Sequence, residues 1–285
     1  MWRSLAITLI LVACGNSGGG DDGSGGDGGM PGKIYGGDRP AELKTPPTLT
    51  PGKKYPLLVV LHGYSANGFV QTAFFGVGGL PGADQAFLIA PDGKTDSSGK
   101  QFWNADPACC DFDHTNVDDV GYIGGLIDAI SADWPIDKNQ VFILGHSNGG
   151  YMAYRMACER ADVIAAIGSL AGDASSTPSA CTPSKHVAVV HLHGTADQIV
   201  PFTGATPSVD QWAAKNGCAT TRTETTTLDL DSTVAGAETH VAPNAGCPSD
   251  GAVELWTMEG SSHIPSLNSS FSTAVFSWFT AHKRG

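Results

Sequence analysis

The sequence predicts an α/β fold, a mostly parallel sheet with helices on both faces, and three observations carry that prediction. Short apolar runs recur along the chain, most without the polar alternation of a half-exposed strand, as strands covered on both faces require. Stretches with helical spacing of apolar residues separate them. The 285 residues are 41% hydrophobic and 15% charged, enough apolar material for a substantial core.

The first element is a targeting segment. Arg3 supplies a positive start and Leu5 to Ala13 is a nine-residue apolar run, far short of the ~20 residues that span a bilayer. The run ends Leu11-Val12-Ala13-Cys14, which resembles the bacterial lipobox, so residues 1–14 read as a lipoprotein signal ending at a lipidated Cys14; a plain secretory signal is the alternative. Residues 15–32 are a Gly, Ser and Asp tether holding ten of the 37 glycines, too polar to bury anything and therefore a flexible coil. These segments predict an extracellular or cell-surface protein, tethered to a membrane by its lipid; Gly15 after the cysteine is compatible, by resemblance, with the outer membrane.

Residues 33–285 read as one domain. Tyr55 to Leu61, Ala86 to Ala90, Val141 to Leu144, Ile164 to Leu170, Val187 to Leu192 and Val253 to Met258 are the expected strands. Asn116 is the expected cap of a helix with Asp118 and Asp119 in its first turn and Val117, Val120, Ile123, Leu126, Ile127 and Ile130 on its buried face. Asn148 to Arg160 and Ser269 to His282 are two further helices. A net charge of −12 argues against a nucleic-acid partner, since phosphate contacts need clustered Lys and Arg. Beyond Cys14, six cysteines remain, and an even number in an exported domain predicts disulfides. Cys218 with Cys247 is the preferred pair, closing a Thr-, Ala- and Gly-rich loop. Adjacent Cys109 and Cys110 bridge each other only through a tight ring, which leaves open a link from one or both to Cys158 or Cys181. No C-x-x-C spacing or Cys/His cluster suggests a metal, and no cofactor is expected.

The chemistry enters at Gly145-His146-Ser147-Asn148-Gly149-Gly150. The G-x-S-x-G pattern is weak alone, and Gly15-Asn16-Ser17-Gly18-Gly19 in the tether matches it too. Only the copy at Ser147 has a strand running into it and a helix running out, the sharp turn that lifts a nucleophilic hydroxyl above a sheet edge. A serine hydroxyl needs a base and the base needs an acid. His263, in the loop after the last strand, fits the chain order Ser, acid, His. His191 and His193 suit packing, His62 a structural hydrogen bond, and His146 is fixed in the turn itself. Asp197, after the strand ending at Leu192, is the favoured acid, with Asp173 its rival. The amides of Asn148 and Tyr64 are the expected oxyanion donors, with the Tyr64 ring lining the acyl pocket.

LHG at 61–63, FWNADPACC at 102–110, VDDVGYIGGLID at 117–128, GHSNGG at 145–150, HGTADQIVPF at 193–202 and the late His263 together resemble the esterase family of polyhydroxybutyrate depolymerases, LpqC-type lipoproteins and feruloyl or acetylxylan esterases. The resemblance spans about residues 33–285. It implies an α/β-hydrolase fold, a Ser147, Asp197, His263 triad and no metal. Relatives often carry GGGH followed by Trp-Pro-Gly where this chain has GSSHIP at 260–265. The long stretch Asp92 to Thr115 suggests a functional loop, in which Phe102 and Trp103 form an aromatic platform for a sugar, a feruloyl ring or a polyester chain, or else Trp103 fills a gap in the core. No insertion before Val187 is long enough for a lid. The expected partner is therefore a polymeric or oligomeric ester: feruloyl or acetyl esters of plant polysaccharides first, polyhydroxyalkanoate or another polyester second. Oligomeric state is not readable.

Overall fold

The computed structural model describes residues 33–83, 85–107 and 109–285; the leader, Cys14 and the tether lie outside the described residues. In chain order the elements are β1 (Ile34–Tyr35), β2 (Ala41–Lys44), β3 (Tyr55–Leu61), α1 (Gly68–Phe74), α2 (Leu80–Ala83), β4 (Phe87–Ile89), β5 (Lys94–Thr95), β6 (Gln101–Phe102), α3 (Asp119–Asp133), β7 (Ile136–His146), α4 (Asn148–Glu159), β8 (Ala166–Leu170), β9 (Ala188–Gly194), α5 (Ala205–Asn216), β10 (Thr226–Leu228), β11 (Thr239–Pro243), β12 (Val253–Met258) and α6 (Ser269–Ala281).

Ten strands form one sheet in the order β1-β2-β4-β3-β7-β8-β9-β12-β11-β10. The six from β4 to β12 run parallel, and the outer strands on both sides are antiparallel. Side chains alternate across β3: Leu57, Val59 and Leu61 join one core cluster, Leu58 and Val60 the other. Apolar residues of α3, α4 and α5 (Ile127, Met152, Trp212) cover the first face, and those of α6 (Phe271, Phe276, Phe279) cover the second. Both faces are filled, which is why these strands read as continuous apolar runs.

The predicted α3 starts two residues later than its expected cap implies. Asp118, not Asn116, is the N-cap, its carboxylate accepting the Gly121 amide at 2.8 Å. Asn116 instead donates its own amide to Asp111 at 2.7 Å in a left-handed turn. Asp119 is drawn inward to Arg39 at 2.6 Å and to the Asn104 amide at 2.7 Å.

The cysteines pair as Cys218–Cys247, Cys158–Cys181 and Cys109–Cys110. The preferred pair stands; a link from Cys109 or Cys110 to Cys158 or Cys181 does not, because those two meet each other where the end of α4 passes the loop after β8. Cys218–Cys247 closes 29 residues, a constraint worth about 3–4 kcal/mol in the chain-entropy account.

Candidate active site

Because the central strands are parallel, their C-terminal ends lie along one edge, and each delivers a loop there. β3 runs into His62-Gly63-Tyr64, β7 into Ser147, β8 into Asp173, β9 into Asp197 and β12 into His263. Ser147 sits between β7 and α4 with φ 52° and ψ −121°, the strained turn such a nucleophile position requires. The turn closes only with small neighbours: a Cβ on Gly145 would lie 2.0 Å from the Gly149 carbonyl oxygen.

The Ser147 Oγ is 3.0 Å from His263 Nε2, and His263 Nδ1 is 2.7 Å from Asp197 Oδ2. The other Asp197 oxygen accepts the amides of Ile199 and Val200 at 2.8 and 2.9 Å, so the carboxylate cannot turn away. Asp197 is 7% exposed. The rival Asp173 faces the Tyr151 hydroxyl at 3.5 Å and makes no bond to His263; burial raises its pKa. His146 points its Nε2 at the His263 carbonyl oxygen at 2.8 Å, pinning the loop that carries His263, and burial lowers its pKa to about 4.

Gly63 packs against Ser147, a Cβ there falling 3.4 Å from Ser147 Cβ, and the chain continues directly into Tyr64. Phe102 and Trp103 are both fully buried. This corrects the expected aromatic platform: neither ring has a face to offer a substrate. Trp103 braces the site from within instead. Its amide donates to Asn148 Oδ1 at 2.7 Å, its carbonyl accepts from Asn148 Nδ2 at 2.9 Å, and its indole Nε1 donates to the His62 carbonyl at 3.0 Å. His62 Nδ1 in turn donates to the Gly63 carbonyl oxygen at 2.8 Å, and its Nε2 accepts the Gly93 amide at 2.9 Å. This clamp between the loop after β3 and the start of α4 is not legible in sequence, where only the adjacency of His62 to Gly63 and of Asn148 to Ser147 hints at it. The Tyr64 ring is half-buried, its hydroxyl donating to Asp96 at 2.6 Å and its edge meeting Phe112. Of the long 92–115 stretch, β5 and β6 form a small hairpin.

One helical turn along α4, Tyr151 opens onto a cavity of about 550 Å³ whose lining includes Asn104, Asp111, His114, Arg155 and Asp173.

Residues 50–226 match the family model described as phospholipase/carboxylesterase. Among sequence relatives, a probable feruloyl esterase C of Aspergillus flavus is 31% identical over 188 residues, 64% of this chain and 63% of that protein. Feruloyl esterase B of Piromyces equi is 27% identical over 62% of this chain and 35% of its own length. The chain thus spans less than two thirds of each of these relatives. Among solved structures, an acetyl xylan esterase from Aspergillus awamori superposes with a TM-score of 0.65 at 14% identity, over 85% of this chain and 94% of that one.

Proposed function

Because the chain belongs to the phospholipase/carboxylesterase family and has an α/β-hydrolase fold, we propose that it is a serine carboxylic-ester hydrolase with Ser147 as nucleophile, His263 as general base and Asp197 as the carboxylate that orients it. The observation that carries this reading is the continuous hydrogen-bonded path from Asp197 through His263 to the Ser147 hydroxyl. His263 Nε2 takes the hydroxyl proton as Oγ attacks the acyl carbon. The negative charge that develops on the carbonyl oxygen is met by the Tyr64 and Asn148 amides. Collapse breaks the ester bond, and the alcohol leaves with the proton from His263. Water, deprotonated by the same nitrogen, then releases the acid and restores Ser147.

The substrate class is feruloyl or acetyl esters of plant polysaccharides. The names of the relatives support this, as does the cavity beside Tyr151, whose carboxylate, amide, imidazole and guanidinium groups suit a hydroxyl-rich sugar on the alcohol side. A polyester substrate is a second reading, favoured by Phe69, Phe112, Ile199 and Ile264. These stand 81, 61, 70 and 62% exposed on or next to the loops that carry the site. Residues 33–285 act as one catalytic domain outside the cytoplasm, held there by lipid on Cys14; three disulfides support that compartment. No described helix is long and apolar enough to cross a membrane.

The test is a side-by-side assay of p-nitrophenyl acetate, methyl ferulate, a feruloylated and acetylated xylo-oligosaccharide, a hydroxybutyrate oligomer and a peptide. The oligosaccharide should show the highest kcat/KM; a preference for the hydroxybutyrate oligomer would replace the first substrate reading with the second. Ser147→Ala should lower ester turnover on the order of 10⁶-fold with the fold intact, and retained turnover would remove the nucleophile.

A further inference from the structure

We propose that Tyr154, His191 and His193 form a buried hydrogen-bond chain of fixed direction whose task is to hold Asp197 in place for His263. The inference rests on the catalytic reading of Ser147, His263 and Asp197 given above.

His191 and His193 lie two apart on β9 and so share a face with Val187 and Val189, which belong to the core on that side. Both imidazoles are fully buried where the strand pattern calls for apolar side chains. Such burial is costly unless each ring nitrogen finds a partner, and all four do. The Tyr154 hydroxyl, on the helix that follows the nucleophile, is 2.9 Å from His191 Nδ1. His191 Nε2 is 3.1 Å from His193 Nδ1. His193 Nε2 is 2.9 Å from the Val200 carbonyl oxygen and 3.3 Å from Asp197 Oδ2.

With both rings neutral, one end of this chain fixes every proton in it. A carbonyl oxygen only accepts, so the His193 proton is assigned to Nε2, and its Nδ1 is then an acceptor. His191 must therefore donate from Nε2 and accept at Nδ1, and Tyr154 must donate. Burial lowers the His191 pKa, in keeping with a neutral ring. All donors point toward the 197–200 turn, where the last N–H is given to the Val200 carbonyl oxygen and Asp197 Oδ2 stands 3.3 Å from the same nitrogen. With the Ile199 and Val200 amides on Oδ1 and His263 on Oδ2, His193 packs beside the Asp197 carboxylate and, through the Val200 carbonyl, ties down the turn that carries it.

Asp173, His191 and His193 also bring ligand-type atoms within 4.8 Å of one another, the arrangement of a candidate cation site. A cation there has to break the chain, since every imidazole nitrogen is already engaged, so the two readings exclude each other.

Three measurements on the full chain decide the matter. His193→Phe keeps ring volume and removes both nitrogens. It should lower kcat for p-nitrophenyl acetate about 10- to 100-fold, the range seen when a group that orients a ligand is lost, with KM within about 2-fold of the parent. His193→Gln, whose side-chain amide can reach the Nε2 position, should recover most of the loss. Unchanged kcat in folded His193→Phe, or a glutamine variant as impaired as the phenylalanine one, overturns the proposal. If His193→Phe does not fold, the wild-type protein decides: with ¹⁵N-labelled histidine, the rings of His191 and His193 should both carry their proton on Nε2, and an Nδ1 proton on either overturns it. Stoichiometric binding of Zn²⁺ that shifts both rings overturns it in favour of the cation. Ser147→Ala separates this idea from its premise, because activity surviving in Ser147→Ala removes the triad whatever His193 does.

Discussion

The Asn148–Trp103–His62 clamp on one side of the site and the imidazoles and carboxylate around Asp197 on the other are fixed by different chemistry. The amide side is clamped through Asn148, the backbone and indole of Trp103, and the His62 carbonyl, groups in which no proton is gained or lost over the working range. The acid side depends on Asp197, His263 and His146, where the position of each proton decides who donates. The first side should therefore be altered by removing atoms, the second by moving protons, and this difference can be tested in order of expected effect.

Asp197→Asn keeps the shape of the acid side and inverts one hydrogen bond, since an amide nitrogen cannot accept from His263 Nδ1. A fall in kcat of about 10⁴, as when the same exchange misplaces the tautomer in other triads, is expected; a loss below tenfold would mean that the carboxylate does not orient the base. Next comes the pH dependence of stability. His146 has a folded pKa of about 4, held down first by burial, against an unfolded value of ~6.5. Above pH 6.5 the ring is neutral in both states and nothing is lost. As pH falls from 6.5 to 4 the unfolded chain takes up a proton that the fold refuses, so stability should drop by about 3 kcal/mol and then level off. Denaturant midpoints at pH 7 and 4.5 read this, and His146→Gln should flatten the curve.

On the amide side, Asn148→Ala leaves the Trp103 amide without its partner. This should cost about 1–3 kcal/mol of stability and up to about 100-fold in kcat, because the backbone amide that the substitution keeps loses the clamp that positions it, with the shape of the pH profile unchanged. A shifted profile would erase the distinction between the two sides. The smallest effect is expected at Asp96, which accepts the Tyr64 hydroxyl and is held at about 2, chiefly by that bond. A folded value below the unfolded 3.8 means that its contribution is complete above pH 3.8 and is lost as pH falls through about 2. A carboxyl ¹³C titration should show that midpoint, and Asp96→Asn should leave the Tyr64 ring free to reorient without altering turnover of small esters more than a few-fold.

These two sides also differ in how far they were readable in the chain. The strands Tyr55–Leu61 and Val253–Met258 coincide with their apolar runs, and Ser147, Asp197 and His263 follow from local signals: a strand–turn–helix motif and loops after identifiable strands. β7 was read too short because Asp137-Lys138-Asn139-Gln140 looks like loop, yet Ile136 pairs with Tyr55 beyond an irregularity in register. The edge strands Thr226–Leu228 and Thr239–Pro243 carry little apolar signal, their conformation set by the neighbour they pair with. For Trp103 the sequence leaves platform and core filler both open for a related reason, and the structure selects the second. An aromatic residue in a long loop looks the same in sequence whether its ring faces solvent or the underside of a turn, and only the meeting of that loop with Asn148 and His62 decides it.

The bridge between Cys158 and Cys181 has a separate bearing. Both half-cystines line the cavity beside Tyr151, and Cys158 lies near the far end of α4, the helix that starts beside Ser147. The bridge thus ties the wall of the neighbouring chamber to the element that follows Ser147. Opening that bridge with a thiol should therefore loosen the chamber wall and the end of the helix together.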